Sequence, residues 1–148
     1  MGLIEAVGTG PVALDTAPFV YFIEEHPRYG PVVEPLFQAI AGGRLRAVTT
    51  GMTLLETLVP PLRRNDRVLA ARYEAALTRS VGLRFIELDR ALLRAAAEIR
   101  AATGAKVPDA LQIAGALRGG CTALLTNDRR LPGNPGLEVL RVEDFALP

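Results

Sequence analysis

The sequence predicts an α/β fold in three layers, with a parallel sheet of five strands between helices on both faces. Short apolar or β-branched runs alternate with longer stretches of helical periodicity, the pattern of βαβ units. Runs such as Val12-Ala13-Leu14 and Thr122-Ala123-Leu124-Leu125-Thr126 read as buried strands. Several of the helical stretches have Asp or Asn at their starts or glycines at their ends.

Val12 to Leu14 is the first strand, running straight into Asp15. A helix follows from Thr16 to about Glu25, with Pro18 tolerable in its first turn. Val32 to Ala41 has helical spacing and stops at Gly42-Gly43. Arg46 to Thr50 is the second strand, and Thr53 to Val59 a helix that Pro60-Pro61 should end. Asp66 to about Ser80 is an amphipathic helix opened by Asn65 or Asp66. Leu83 to Leu88 gives a third strand, after which Asp89 caps a helix reaching Thr103, with Gly104 behind it. Pro108 to Leu117 is a helix closed by Gly119-Gly120, Thr122 to Thr126 the fourth strand, and Leu137 to Val142 the fifth. No repeat, low-complexity tract or linker interrupts this order, so one domain over residues 1–148 is expected. Crossovers between the parallel strands should be right-handed.

Composition narrows the function classes. Hydrophobic residues make up 49% of the 148, enough to bury a core without staples. The lone Cys121 has no internal partner, which fits a reducing cytoplasm. Met1-Gly2-Leu3-Ile4-Glu5-Ala6 shows neither a basic n-region before an apolar run nor the Ser or Thr that a myristoylation signal wants at Ala6. No stretch approaches the ~18 apolar residues of a membrane helix. A soluble, cytoplasmic protein is expected. Net charge is +1, so no global field advertises nucleic acid. Of the 17 basic residues only Lys106 is not Arg; the Arg fork suits phosphate recognition, but codon bias in a GC-rich genome is the preferred reading.

In open parallel sheets ligands bind beyond the carboxyl ends of the strands. Asp15 follows the first strand and Asp128 the fourth, so both should project from one edge. Asp109 opens the helix leading into the fourth strand; that helix runs antiparallel to the strand, so its start lies near the same edge. Glu56 stands on the helix after the second strand, within a turn or two of the edge. Each acid alone has an ordinary alternative: an N-cap for Asp15 or Asp128, a favourable helix-start charge for Asp109, an exposed helix face for Glu56. Glu56 is the hardest to explain so, because it interrupts Leu54-Leu55-Glu56-Thr57-Leu58. Four carboxylates together repel one another unless a cation neutralises them, and an all-oxygen set suits Mg²⁺ or Mn²⁺. Zinc is disfavoured, since Cys121 and His26 supply no ligand set.

The runs Val12-Ala13-Leu14-Asp15-Thr16, Leu54-Leu55-Glu56, Pro108-Asp109-Ala110-Leu111-Gln112-Ile113-Ala114 and Leu124-Leu125-Thr126-Asn127-Asp128 together resemble the PIN-domain family. The likeness is strongest to the VapC-type toxins of toxin–antitoxin pairs, and it covers residues 11 to 142 with the acids in the family's order. The resemblance implies strand order 3-2-1-4-5 and Mg²⁺- or Mn²⁺-dependent hydrolysis of RNA by a metal-activated water. It implies Asp15 and Asp109 as principal metal ligands, Asp128 completing the site, and Glu56 holding a water or a second ion. Thr16 and Thr126 would orient water or a phosphate oxygen, or satisfy backbone groups. A homodimer and an antitoxin partner are implied as well.

Arg129-Arg130, next to Asp128, are the candidate RNA contacts, with a solvated face as the alternative; Arg63, Arg64 and Arg67 fit a solvated face better. Attack by a ribose 2′-OH would want a general base and acid; His26 cannot supply a pair and reads as a surface charge at the end of the first helix. Trp is absent, and Phe and Tyr are scattered along the chain, so no aromatic stacking platform is expected. The apolar faces of Leu69-Tyr73-Leu77 and of Phe19, Tyr21 and Phe22 offer a dimer surface or ordinary core. Among enzymes, a haloacid-dehalogenase-like phosphatase wants Asp where Ala17 stands, and a receiver domain wants an acidic pair that is missing. Asp15-Thr16-Ala17-Pro18 is no dinucleotide fingerprint. The non-enzyme alternative is a catalytically silent PIN-like module that binds RNA or protein; four retained acids speak against it.

Overall fold

A computed structural model describes residues 1–148. Five parallel strands form one sheet in the order β3-β2-β1-β4-β5, as expected. They are β1 (Val12–Leu14), β2 (Ala47–Thr50), β3 (Leu83–Ile86), β4 (Ala123–Thr126) and β5 (Glu138–Arg141). The helices are α1 (Leu3–Val7), α2 (Thr16–Ile23), α3 (Gly30–Ala41), α4 (Gly51–Arg63), α5 (Arg67–Arg79), α6 (Arg90–Thr103) and α7 (Val107–Arg118), with a 3-10 turn at Val142–Phe145.

Strand alternation splits the core in two. Val12 and Leu14 of β1, with Ala123 and Leu125 of β4, face one layer made with α1, α2, α3 and α5. Ala13, Val48 and Leu124 face the other, against α6 and α7. Every residue of β1, β2 and β4 is buried, as strands covered on both faces must be. Tyr73, Leu77 and Phe19 are among the most completely buried side chains, so those candidate dimer faces are core; only Phe22 of that set stays exposed.

Two elements differ from expectation. Pro60 and Pro61 do not end α4, which continues to Arg63. Each proline withdraws a donor near the end of the helix, but its φ is helical, and the N–H of Arg64 closes the last turn onto the carbonyls of Pro60 and Pro61. The short helix α1 was not expected; Leu3 and Val7 bury one side of it in the first core layer.

Helix α7 lies close over β2. An added Cβ on Gly115 would sit 2.2 Å from Thr50 Cγ2, and one on Gly119 2.7 Å from Val48 Cγ2. Gly115→Ala is therefore expected to push α7 off the sheet and cost about 1–3 kcal/mol, read as a lowered urea midpoint.

Candidate active site

The register brings the strand ends level. Leu14 of β1 pairs with Leu125 of β4, and the Asp15 N–H continues the ladder onto Leu125 O at 2.9 Å. Asp15 thus stands beside Thr126, two residues before Asp128. On the other side Ala13 pairs with Val48, and the Thr49 hydroxyl donates to Leu14 O at 2.9 Å, so Thr50 lies level with Asp15. Helix α4 starts directly after Thr50, whose hydroxyl accepts the Met52 N–H, and this carries Glu56 over the edge. Helix α7 brings Asp109 in its first turn. All four acids are half-buried.

A hydrogen-bond network fixes two of them. Asp15 Oδ1 accepts the Thr16 N–H at 2.8 Å and the Gln112 amide at 3.1 Å, while Oδ2 accepts the Thr126 hydroxyl at 2.7 Å. Asp15 is therefore both cap of α2 and a member of the cluster. Glu56 Oε1 accepts the Thr16 hydroxyl at 2.8 Å. The protons of Thr16 and Thr126 are thus committed to carboxylates. Gln112, whose role sequence reading missed, is the hub: its amide nitrogen also donates to Thr53 at 2.8 Å, and its oxygen accepts from Thr50 at 2.8 Å. A buried amide among Ala110, Leu111, Ile113 and Ala114 was the available signal.

Electrostatics ties the four acids together. Burial pushes the Glu56 carboxyl above the usual range, the Thr16 hydroxyl pulls it back, and Asp15, Asp109 and Asp128 all push it up. Burial likewise raises Asp109, with Asp128 and Asp15 adding to the rise and Arg130 and Lys106 opposing it. Asp128 goes the other way: it does not cap a helix but takes the Arg130 guanidinium at 3.2 Å and the Arg130 N–H at 2.9 Å, which hold its carboxyl low. Lys106, the only lysine, acts on both Asp109 and Asp128, a place beside the site that sequence reading did not give it.

No three acidic, His or Cys side chains are drawn in to ion-binding distance of one another. Three of the acids are held by other partners: Thr126 and Gln112 hold Asp15, Thr16 holds Glu56, and Arg130 holds Asp128. Asp109 alone makes no hydrogen bond to the protein. The donor set nevertheless fits a hard divalent cation, being carboxylate oxygen throughout with repulsion raised at Asp109 and Glu56.

Of the other candidates, Arg129 makes a two-pronged pair with Glu143 at 2.7 and 3.0 Å, and Arg130 pairs with Asp128. Both stay largely exposed. His26 is used as an acceptor and not simply as a surface charge: its Nδ1 takes the N–H groups of Arg28 and Tyr29. Two of the three tyrosines are not scattered in space, since Tyr21 and Tyr29 meet around His26.

Fold and site together define a parallel α/β domain with an acidic centre at the carboxyl edge of its sheet. A PIN domain family model matches residues 12–136, and the chain belongs to the PIN domain family. Among solved structures it is similar to VapBC2 from Rickettsia felis bound to a promoter DNA fragment, at 17% identity and TM-score 0.65 over 88% of this chain and 97% of that one. It is similar to VapC20 of Mycobacterium tuberculosis, a sarcin-ricin loop cleaving toxin, at 18% identity and TM-score 0.65 over 81% and 92%. DNA-bound VapBC from Salmonella typhimurium gives 19% identity and TM-score 0.66 over 88% and 97%. No curated protein matches the sequence. No helix is long and apolar enough to cross a membrane.

Proposed function

We propose that this protein is a Mg²⁺- or Mn²⁺-dependent endoribonuclease, the toxin of a type II toxin–antitoxin pair, working in the cytoplasm. The observation that carries the proposal is the approach of Asp15, Glu56, Asp109 and Asp128, from four separate segments, to one half-buried edge where the neighbouring carboxylates push the Glu56 and Asp109 carboxyls up. A pocket of that charge repels phosphate and is useful only with a cation in it.

Asp15 and Asp109 would be the principal ligands, with Asp128 completing the set and Glu56 placed for a water or a second ion. A bound divalent ion supplies a water of lowered pKa and offsets charge on the phosphoryl oxygens. The chain's own residues hold the geometry: Thr126 and Gln112 fix the Asp15 carboxylate, and Thr16 aims Glu56. Arg130 shields Asp128, and its fork, once released, suits a backbone phosphate beside Arg129. The solved relatives that are toxin–antitoxin complexes support a protein partner. A groove of about 370 Å³ between α2, α3 and the α5–β3 turn, lined by Phe22, Ile23, Phe37, Ile40 and Val81, is the apolar surface it would use. Leu55 and Leu62, exposed on α4, support a homodimer.

The test is purified protein incubated with total RNA in Mn²⁺ or in EDTA, with new 5′ ends mapped. Discrete cuts that need Mn²⁺ are expected. Cuts that persist in EDTA, or none at all, would refute the proposal.

Metal affinity should also follow pH. Asp109 and Glu56 hold protons to higher pH in the folded chain than in the unfolded one, so as pH rises through that range the metal-free protein loses stability. Asp128, held low by Arg130, contributes oppositely and only in stronger acid. The rise in melting temperature on adding Mn²⁺ is accordingly expected to be larger at pH 8 than at pH 5.

A further inference from the structure

Tyr21 lies in α2, and Tyr29 is the residue before α3. The turn between them doubles back, with His26 Nδ1 accepting the N–H groups of Arg28 at 3.2 Å and Tyr29 at 3.1 Å. Three rings meet as a result. Tyr21 and Tyr29 have centroids 4.9 Å apart, Tyr21 and His26 5.0 Å, and His26 stacks on Tyr29 at 4.9 Å with 23° between planes. The Arg28 guanidinium lies 5.2 Å from the Tyr29 centroid. The three rings are half-buried, with Tyr21 and Tyr29 packing in part against the first core layer.

The cluster is joined to the acidic site. The Tyr21 hydroxyl accepts the Asn127 amide at 2.9 Å. Asn127 sits between Thr126, which holds Asp15, and Asp128, and its own oxygen accepts the Glu143 N–H at 3.0 Å. Cations lie on either side of this link: Arg28 stands over Tyr29, and Arg129 pairs with Glu143, the residue whose N–H Asn127 accepts. Glu143 and Asp144 offset part of that charge. Arg141 donates from its guanidinium to the Arg129 carbonyl at 3.2 Å, with its Nε–H buried.

Aromatic faces flanked by guanidinium groups beside a phosphodiester-cleaving centre are what an unpaired base and its neighbouring phosphates require. We propose that Tyr21, His26 and Tyr29 form a stacking site for a base next to the cut in single-stranded RNA, with Arg28 and Arg129 as its cationic rim. This rests on the ribonuclease reading above. Stacking is tolerant of base identity, so the site would select an unstacked nucleotide and place it, and would do so without reading sequence.

The chain contains no tryptophan, so Tyr29→Trp reports alone. In the Asp109→Asn background with Mg²⁺, its emission is expected to be quenched by an oligoribonucleotide spanning the mapped cut. The same oligonucleotide made abasic at the flanking nucleotide should not quench. In the cleavage-competent chain, Tyr29→Leu should lower kcat/KM by about tenfold or more, and Tyr29→Phe should stay near the parent. The abasic substrate should be cut equally by parent and Tyr29→Leu, a comparison that a loosened fold would not reproduce. An unchanged ratio between intact and abasic substrates in Tyr29→Leu, with no quenching in Tyr29→Trp, would overturn the stacking site alone. If the parent cuts no RNA in Mn²⁺, the ribonuclease reading falls, and this one with it.

Discussion

Asp109→Asn is expected to cut RNA about a thousandfold more slowly than the parent while melting, without metal, at the same temperature or higher. The two halves have one cause. Asp109 makes no hydrogen bond to the protein, and its carboxyl is raised by burial and by Asp128 and Asp15. Removing its charge therefore relieves repulsion and breaks nothing. The loss of rate follows from the several kcal/mol of charge stabilisation that a correctly held divalent ion supplies to phosphoryl transfer. Single-turnover cleavage and a metal-free thermal melt read both halves. A variant that is slow because it is unfolded would give the opposite stability result.

Gln112→Leu is expected to lose both stability and activity. The side chain is buried, 3% exposed, and bridges Asp15, Thr53 and Thr50. A leucine fills similar volume but leaves the buried Thr50 hydroxyl without an acceptor, and removes one of the three donors that orient Asp15. Thr53 keeps the Thr49 hydroxyl as a partner, which limits the damage. A cost of about 2 kcal/mol is expected, or about 4–8 °C in melting temperature. Freeing a metal ligand from its supporting hydrogen bond costs a further ten- to hundredfold in metal affinity or rate. Mn²⁺ titration of Gln112→Leu separates the two effects, since loss of packing alone would lower the melting temperature and leave metal affinity untouched.

The acids were legible because one topological rule placed them. Once Val12–Leu14 and Ala123–Thr126 read as parallel strands, Asp15 and Asp128 had to share an edge, and the antiparallel run of α7 sent Asp109 there. The partners of those acids were not legible. Gln112 looks like one polar interruption in an apolar helix until the register levels Thr50 with Asp15. Tyr21, His26 and Tyr29 are separated by the end of α2 and ordinary turn residues, and the doubled-back turn closed by His26 Nδ1 makes them neighbours. Pro60-Pro61 misled because a missing donor matters little in a last turn that closes onto the proline carbonyls. Helix α1 spans only Leu3–Val7, too short for periodicity to show.

Asp15, Glu56, Asp109 and Asp128, four half-buried carboxylates from distant segments, are expected to form one divalent-cation site. Isothermal titration calorimetry with Mn²⁺ tests it on the parent and on the variant carrying both Asp109→Asn and Asp128→Asn. Saturable binding to the parent, abolished in the double variant while its fold persists, is the expected result. Equal binding to both proteins would place the metal elsewhere and contradict the account.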